Sequence, residues 1–444
     1  ESHKYWDALP ASSLVNEISM LDRRERESFF VSGIRQRLEK SIEMHMMSDV
    51  PFGAFLSGGI DSSTNVALMN QYSRNPINTF SVGFSDHTHL NEMEYARRIS
   101  KLFNTCHNEI LINSDDMLAY LDQLVEDQDE PLADWVCIPL HYLSKLASDN
   151  GIKVVQVGEG ADEQFCGYQG YLDHLHLFRR YYSPYQQFLP DLIKKAVNGV
   201  AERAARNAPS LRVYADIINR ASLDREHFWS GAALFGEGLK NFLVRPDLES
   251  LALPEELSAL AAFPGNTPLD SFSVIQEYKQ RISKAWPEHD ILARMTYYEF
   301  RMRLPELLLM RVDKISMANS LEARVPFLDH ELVEFSMAIS MADKIPNGNA
   351  KYLLKRAVSD WIPPDIINRT KMGFGAPVRE WLRESFGDYL INRLRNSKVH
   401  EREVFYMPEI ERMYSAHRAG RADYSVHLWA IFNFTSWYDR WIAV

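Results

Sequence analysis

The chain's 444 residues, 46% hydrophobic and 25% charged, have the make-up of an ordinary soluble globular protein with material for a large core. A net charge of −11, from 49 Lys and Arg against 60 Asp and Glu, excludes a broad nucleic-acid surface but not a local basic pocket for a nucleotide. No apolar run approaches the ~20 residues a membrane span requires, and three cysteines without a CxxC pair (Cys106, Cys137, Cys166) point to a reduced, cytoplasmic protein rather than a zinc knuckle.

The chain opens on Glu1-Ser2-His3-Lys4, with no legible signal peptide and no initiator Met, so it reads as trimmed or as part of a longer protein. Four short β-type runs follow: Gly53 to Leu56, Thr79 to Phe84, His107 to Ile112 and Ile152 to Val157. Helical patterns separate them. One begins after Asp61. A second covers Leu90 to Phe103. A third places Met117, Leu118, Leu121, Leu124 and Val125 on one stripe. A fourth carries Leu140, Leu143, Leu146 and Ala147 and stops at Asn150-Gly151. Strands alternating with helices predict an α/β fold with a parallel sheet joined by right-handed crossovers. The stretch from about Leu172 to Trp286 reads as mostly helical and aromatic-rich, and His427 to Trp441 reads as an aromatic helix; both are expected to be packing.

Four segments have the composition of a reactive site. Leu56-Ser57-Gly58-Gly59-Ile60-Asp61-Ser62-Ser63 joins a strand to a helix. Its glycines let backbone approach a ligand, and the N–H groups at the helix start can hold phosphate oxygens. Ser57 and Ser62 add hydroxyl donors. Asp61 does not face bare phosphate comfortably, so Mg²⁺ is its natural partner. The Lys and spacing of a Walker loop are absent. A Ser-Gly turn with Asp61 as a helix cap fits the same letters. Val157-Gly158-Glu159-Gly160-Ala161-Asp162-Glu163 lies at the end of the fourth strand, where open α/β sheets bind ligands. Asp162 can share a metal with Asp61, and Glu163 can orient a nucleophile or take its proton; a solvated acidic turn is the plain alternative. Arg311 to Lys314, leading into Leu321 to Asp329, mixes charge with apolar residues, and its ions fit a structural network equally well. In Arg369-Thr370-Lys371-Met372-Gly373-Phe374-Gly375, Lys371 on a glycine-rich loop can neutralise charge on a transferred group or be a plain loop lysine.

Together these segments resemble the asparagine synthetase family in its carboxyl-terminal synthetase domain. The likeness runs from about Tyr5-Trp6 to Trp441. It is densest at 48–63, at 79–84, at Gly158 to Glu163, at 313–335 and at 371–382. The resemblance implies a PP-loop ATP pyrophosphatase fold, a parallel sheet flanked by helices with a large helical extension. It implies a connector over residues 1–30 and a synthetase domain over 31–444. Within that domain the nucleotide-binding core would span about 48–171 and the helical and carboxyl-terminal portion about 172–444. It also implies chemistry. ATP adenylates a carboxylate, most simply the aspartate side chain, and releases pyrophosphate; ammonia then displaces AMP. On this sequence the family's nucleotide contacts fall on Leu56, Ser57, Gly58, Gly59, Asp61, Ser62, Val82, Val157 and Gly158. Mg²⁺ ligation falls on Asp61 and Asp162, and catalytic roles fall on Glu163 and Lys371.

Some features depart from the family pattern. Val157 stands where a serine is common, Cys166 where a glycine is common, and Asp134-Trp135-Val136-Cys137-Ile138-Pro139 is bulkier than usual. These changes leave a uronic sugar, or a ring-closing substrate of the β-lactam synthetase kind, as alternative acceptors; a non-catalytic nucleotide-binding homologue is the alternative of another class. The family's nucleophilic Cys and glutaminase domain are missing from this sequence. Ammonia would come free or from a glutaminase domain in cis or in trans. A homodimer, and no nucleic-acid or membrane partner, complete the expectation.

Overall fold

The computed structural model describes residues 5–208, 211–245, 271–369 and 375–443. Five strands form one parallel sheet: β1 (Phe52–Phe55), β2 (Asn78–Phe84), β3 (Cys106–Ile112), β4 (Val154–Gln156) and β5 (Glu322–Arg324). Their spatial order is β3-β2-β1-β4-β5. The first four are the strands the sequence predicts, with ends shifted by one or two residues. The fifth was not predicted. Glu322-Ala323-Arg324 has no apolar alternation, and it is a strand because its backbone pairs with Val154 to Gln156.

The four connecting helices are also those expected: α3 (Ile60–Tyr72), α4 (Met93–Phe103), α5 (Ser114–Gln128) and α6 (Cys137–Asp149); a short fifth helix, α7 (Ala161–Phe165), was not predicted and forms where the sequence reads as an acidic turn. Their stripes are core. Ala96, Ile99, Met117, Leu121, Leu124, Leu143 and Ala147 are all buried. Gly151, at φ 79°, takes the left-handed turn that the Asn150-Gly151 stop requires.

Two helices precede the sheet, α1 (Ser12–Met20) and the 23-residue α2 (Arg23–His45). Asp22 starts α2 with a capping box. Its carboxylate accepts from Arg24 N at 2.7 Å and Glu25 N at 2.9 Å, while Glu25 accepts from Asp22 N at 2.9 Å. Along α2, Phe30, Ile34, Leu38 and Ile42 recur every fourth residue and are wholly buried, so one stripe faces the core. Gly33 lets the helix approach Phe335; a Cβ there would sit 2.3 Å from the ring.

Strand order is what positions the site. β2 and β4 lie on opposite sides of β1, so the connections leaving β1 and leaving β4 diverge at the carboxyl ends of these two strands. That divergence opens a crevice, the usual ligand position in such sheets.

The chain folds as two compact units, 1–175 with 282–378 and 176–281 with 379–444. The sheet belongs to the first. The second is helical where described, including the helices Asp191–Asn207, Arg212–Ser222 and Ser425–Trp441. In it the tail helix buries Leu428, Trp429, Ile431 and Phe432, with Trp429 and Phe386 centroids 6.1 Å apart, so the aromatic tail is packing as expected.

Gly33→Val should overpack the ring of Phe335 and lower unfolding stability by about 2 kcal/mol. Urea denaturation followed by circular dichroism measures this; an unchanged midpoint would show that the contact can relax at no cost.

Candidate active site

The loop after β1 is a backbone cradle. Leu56 N donates to Phe80 O at 2.9 Å, fixing the strand end, and the Ser81 hydroxyl donates to Leu56 O. Ser57 N donates to Ser62 Oγ at 3.2 Å, and the two hydroxyls are 3.1 Å apart. Gly59 N donates to Ser57 Oγ at 3.2 Å. Gly58 has φ 69°, and a Cβ on it would lie 2.5 Å from backbone of Tyr95, so both conformation and space demand glycine. Gly59 then caps the 13-residue helix α3, whose first N–H groups face the loop. The Arg369 guanidinium lies over the Tyr95 ring, pairs with Glu92 at 2.5 Å and comes within 3.4 Å of the place a Gly59 Cβ would take.

Asp61 is in the first turn of α3 and Asp162 in the first turn of α7, on the two sides of the crevice. They meet on one ammonium. Lys351 Nζ is 2.7 and 2.6 Å from the Asp61 oxygens and 2.6 Å from Asp162 Oδ1. The Lys351 side chain is 6% exposed. Burial opposes its charge, but Asp162 and Asp61 together hold its pKa above the ordinary lysine value. Its backbone sits in the left-handed region (φ 56°), tied by its N–H to Phe165 O at 3.0 Å. The packing is close on every side. A Cβ on Gly167 would lie 1.9 Å from Asp162 Oδ1 and 2.3 Å from Lys351 Cε, and one on Gly158 would lie 3.0 Å from Asp61 Cβ.

Among the described residues no group of three or more His, Cys, Asp or Glu is placed to hold a metal. The Asp61 and Asp162 pair still fits Mg²⁺. Hard carboxylate oxygens already converge on a cation, for which the ammonium stands in, and Mg²⁺ habitually takes one or two carboxylates and fills its shell with phosphate and water.

Glu163, next along α7, points into a different polar cluster. Tyr168 donates to Glu163 Oε1 at 2.8 Å, Tyr171 donates to Glu299 at 2.6 Å, and Arg303 donates to Glu299 at 3.1 Å. Arg303 is also 4.0 Å from Glu163 Oε1 and lies over the Tyr168 ring. Glu163 is 1% exposed, and its Oε2 has no hydrogen-bond partner among the described residues. Burial, then the charges of Asp162 and Glu159, push its pKa up to about 7, against Arg303. A third cluster lies close by in sequence. Buried Arg311 bridges Asp134 at 2.5 Å and Glu159 at 2.7 Å, and the neighbouring Trp135 indole is 3.5 Å from where a Gly375 Cβ would lie.

Leu56 and the Ser57–Ser62 loop thus stand beside Gly158 and Asp162 at adjacent strand ends. Val82 is two residues past Phe80, which pairs with Phe55, and Val157 directly follows Gln156, with its carbonyl accepting from Asn65 at 3.1 Å. Lys371 lies outside the described residues. In the third sequence segment Arg324 pairs with Glu322 at 2.6 Å and Lys314 with Asp129, but Arg311 reaches Glu159 instead of joining them. Sequence reasoning passed over Lys351, Arg303 and the role of Tyr168. No signal in the sequence sets Lys351 apart: it is one more lysine ahead of a short helix, Tyr352–Ala357.

Residues 33–439 match the asparagine synthase family. Among curated relatives the chain is 30% identical to asparagine synthetase (glutamine-hydrolyzing) 1 of Bacillus subtilis, with 93% of this chain and 60% of that protein aligned. It is 32% identical to a putative asparagine synthetase (glutamine-hydrolyzing) of Mycobacterium bovis, over 90% of this chain and 56% of the relative. It is 26% identical to the amidase chyE of Penicillium rubens, over 86% and 56%. The chain therefore spans somewhat more than half the length of these relatives.

The buried Glu163 makes stability depend on pH. Folded, it keeps its proton to about pH 7; unfolded, it ionises near about 4.3. Between these values the folded state holds the extra proton, so the stability it contributes is full below about pH 4 and lost as pH rises through about 7. Glu163→Gln should flatten that part of the curve and be the more stable protein at pH 8 by about 1–3 kcal/mol. Urea melts across pH 4–8 test this, and equal slopes for the two proteins would refute the assignment.

Proposed function

The chain belongs to the asparagine synthase family, and from that premise we propose that it is the synthetase part of an ATP-dependent amide-forming ligase. The reading rests most on one observation: Asp61 and Asp162 converge on a single cation at the mouth of a Ser-Gly loop.

The proposed assignments follow the geometry. Ser57, Gly58, Gly59 and Ser62 would hold the pyrophosphate end of ATP through hydroxyl and N–H donors. Leu56, Val82, Val157 and Gly158 would border the adenosine. Asp61 and Asp162 would carry Mg²⁺, which when bound neutralises phosphate oxygens. Lys351, Arg369 and Lys371 would offset the charge that grows on the leaving pyrophosphate.

A carboxylate is a poor electrophile because hydroxide leaves badly. One acceptor oxygen attacks the α-phosphorus and pyrophosphate departs with the bonding electron pair. The acyl-adenylate then takes ammonia at its carbonyl carbon, AMP leaves, and one proton must be removed from nitrogen. Two moderate barriers replace one high one. Glu163 would serve that proton. With a pKa near 7 it is a usable base at neutral pH, and Tyr168 orients it.

Aspartate is the acceptor that the named synthetase relatives favour, with ammonia supplied by a glutaminase domain in cis or in trans. A reduced, cytoplasmic setting and a homodimer belong to the same proposal. A second reading, amidation of another carboxylate such as a uronic sugar, has its own support. The indole of Trp135, next in sequence to Asp134 of the Arg311 cluster, lies close to Gly375, and its bulk would reshape an acceptor wall there.

Isotope exchange between pyrophosphate and ATP, run with aspartate and with a panel of uronates, separates the two. Aspartate should support exchange, ammonia should convert the intermediate to amide, and Asp61→Asn should lower exchange at least about 100-fold. Exchange with uronates alone would move the chain to the second reading. No exchange with any acid would overturn both.

A further inference from the structure

We infer that Lys351 is the resident counter-ion of the Asp61 and Asp162 pair and closes it to divalent cations until a nucleotide arrives. The inference rests on the proposed reading of these two residues as metal ligands.

The ammonium contacts both oxygens of Asp61 and one of Asp162, all within 2.7 Å. These are the atoms a divalent ion would need. A metal bound to them would sit within a few ångströms of a trapped positive charge, at a repulsion of several kcal/mol even with partial screening. The ammonium has no easy retreat to water. The Lys351 side chain is 6% exposed, its Cε lies against Gly167, and the residue's backbone N–H donates to Phe165 O.

The acidic residues on either side of Asp162 in the same turn are engaged elsewhere, Glu159 with Arg311 and Glu163 with Tyr168. To yield the aspartates, Lys351 needs a new anion close at hand. A nucleotide's phosphates on the Ser57–Ser62 loop supply one. Phosphate would draw the ammonium over, and the same move would free the carboxylates for the metal. Nucleotide and metal then bind with positive coupling in the protein, beyond their own affinity in solution, and the coupling is reciprocal. In the free chain, the aspartates never stand as an unneutralised pair.

Mn²⁺ serves as the spectroscopic probe, titrated by electron paramagnetic resonance without nucleotide and with an ATP analogue carrying an α,β-methylene bridge. Wild type should bind no stoichiometric Mn²⁺ alone and one ion per chain with the analogue. Asp61→Asn should lose that ternary signal. Lys351→Met and Lys351→Gln should each bind Mn²⁺ without nucleotide at least about tenfold more tightly than wild type. Lys351→Arg, which keeps the charge, should stay closed. Circular dichroism confirms that each variant is folded, and the wild-type titration decides the matter even if one is not. Nucleotide-independent binding by wild type equal to that of the Met variant would overturn the inference and leave the metal reading intact. Loss of any Asp61-dependent ternary signal in wild type would overturn the metal reading as well.

Discussion

Two carboxylates brought to one point by neighbouring parallel strands repel unless a cation sits between them. Lys351 is that cation, and much of the surrounding structure is arranged to hold it there. Its backbone accepts a left-handed conformation that costs about 1 kcal/mol for a residue with a Cβ. Gly167 and Gly158 give up side chains so that Asp162, Lys351 and Asp61 can close on one another. The sheet order brings the Asp61 and Asp162 helices to the same crevice. Each feature is a local expense, and each is explained by the same three charged groups.

The polar clusters around this knot follow the same rule in different ways. Glu163 has no full-strength cationic partner; it has a tyrosine hydroxyl, a guanidinium at 4.0 Å and deep burial. The result is a carboxyl that titrates near neutrality. Arg311 is the opposite case. Two carboxylates bind it, so its charge is fixed whatever the pH. One element end thus carries a group that can exchange a proton and, close by in sequence, ions that cannot. Cys166 sits in the left-handed region (φ 54°) and is wholly buried.

Much of this was legible in the chain itself. Short apolar runs between amphipathic stripes gave four of the five strands and the helices between them, because burial on both faces of a parallel sheet writes itself into composition. The Ser57–Ser62 loop and the acidic turn at Asp162 were visible as glycine-framed polar residues following strands. What stayed hidden depends on meetings between distant segments. Lys351 is far from Asp61 in sequence, and nothing in Ala350-Lys351-Tyr352 marks it out from other lysines before helices. Glu299 and Arg303 meet Tyr171 and Glu163 only through tertiary packing. Glu322-Ala323-Arg324 is a strand only because β4 offers it an edge. Periodicity records which face of an element is buried, and says nothing of which charge will lie across from which.

The sheet is completed late. β1 to β4 and both aspartates precede the first half of the helical unit, while β5 and Lys351 follow it. At ribosomal rates of about 5–20 residues per second, a delay on the order of ten seconds separates the emergence of β4 from that of β5. For that interval the nascent chain has an unpaired parallel edge at β4, and Asp61 and Asp162 lack the Lys351 ammonium they share in the finished fold. Closure of the sheet's β4 edge therefore waits on the segment that brings β5, and the ammonium follows it. A truncation before β5 would leave the molecule with that open edge, exposed to chaperones and proteases rather than merely inactive.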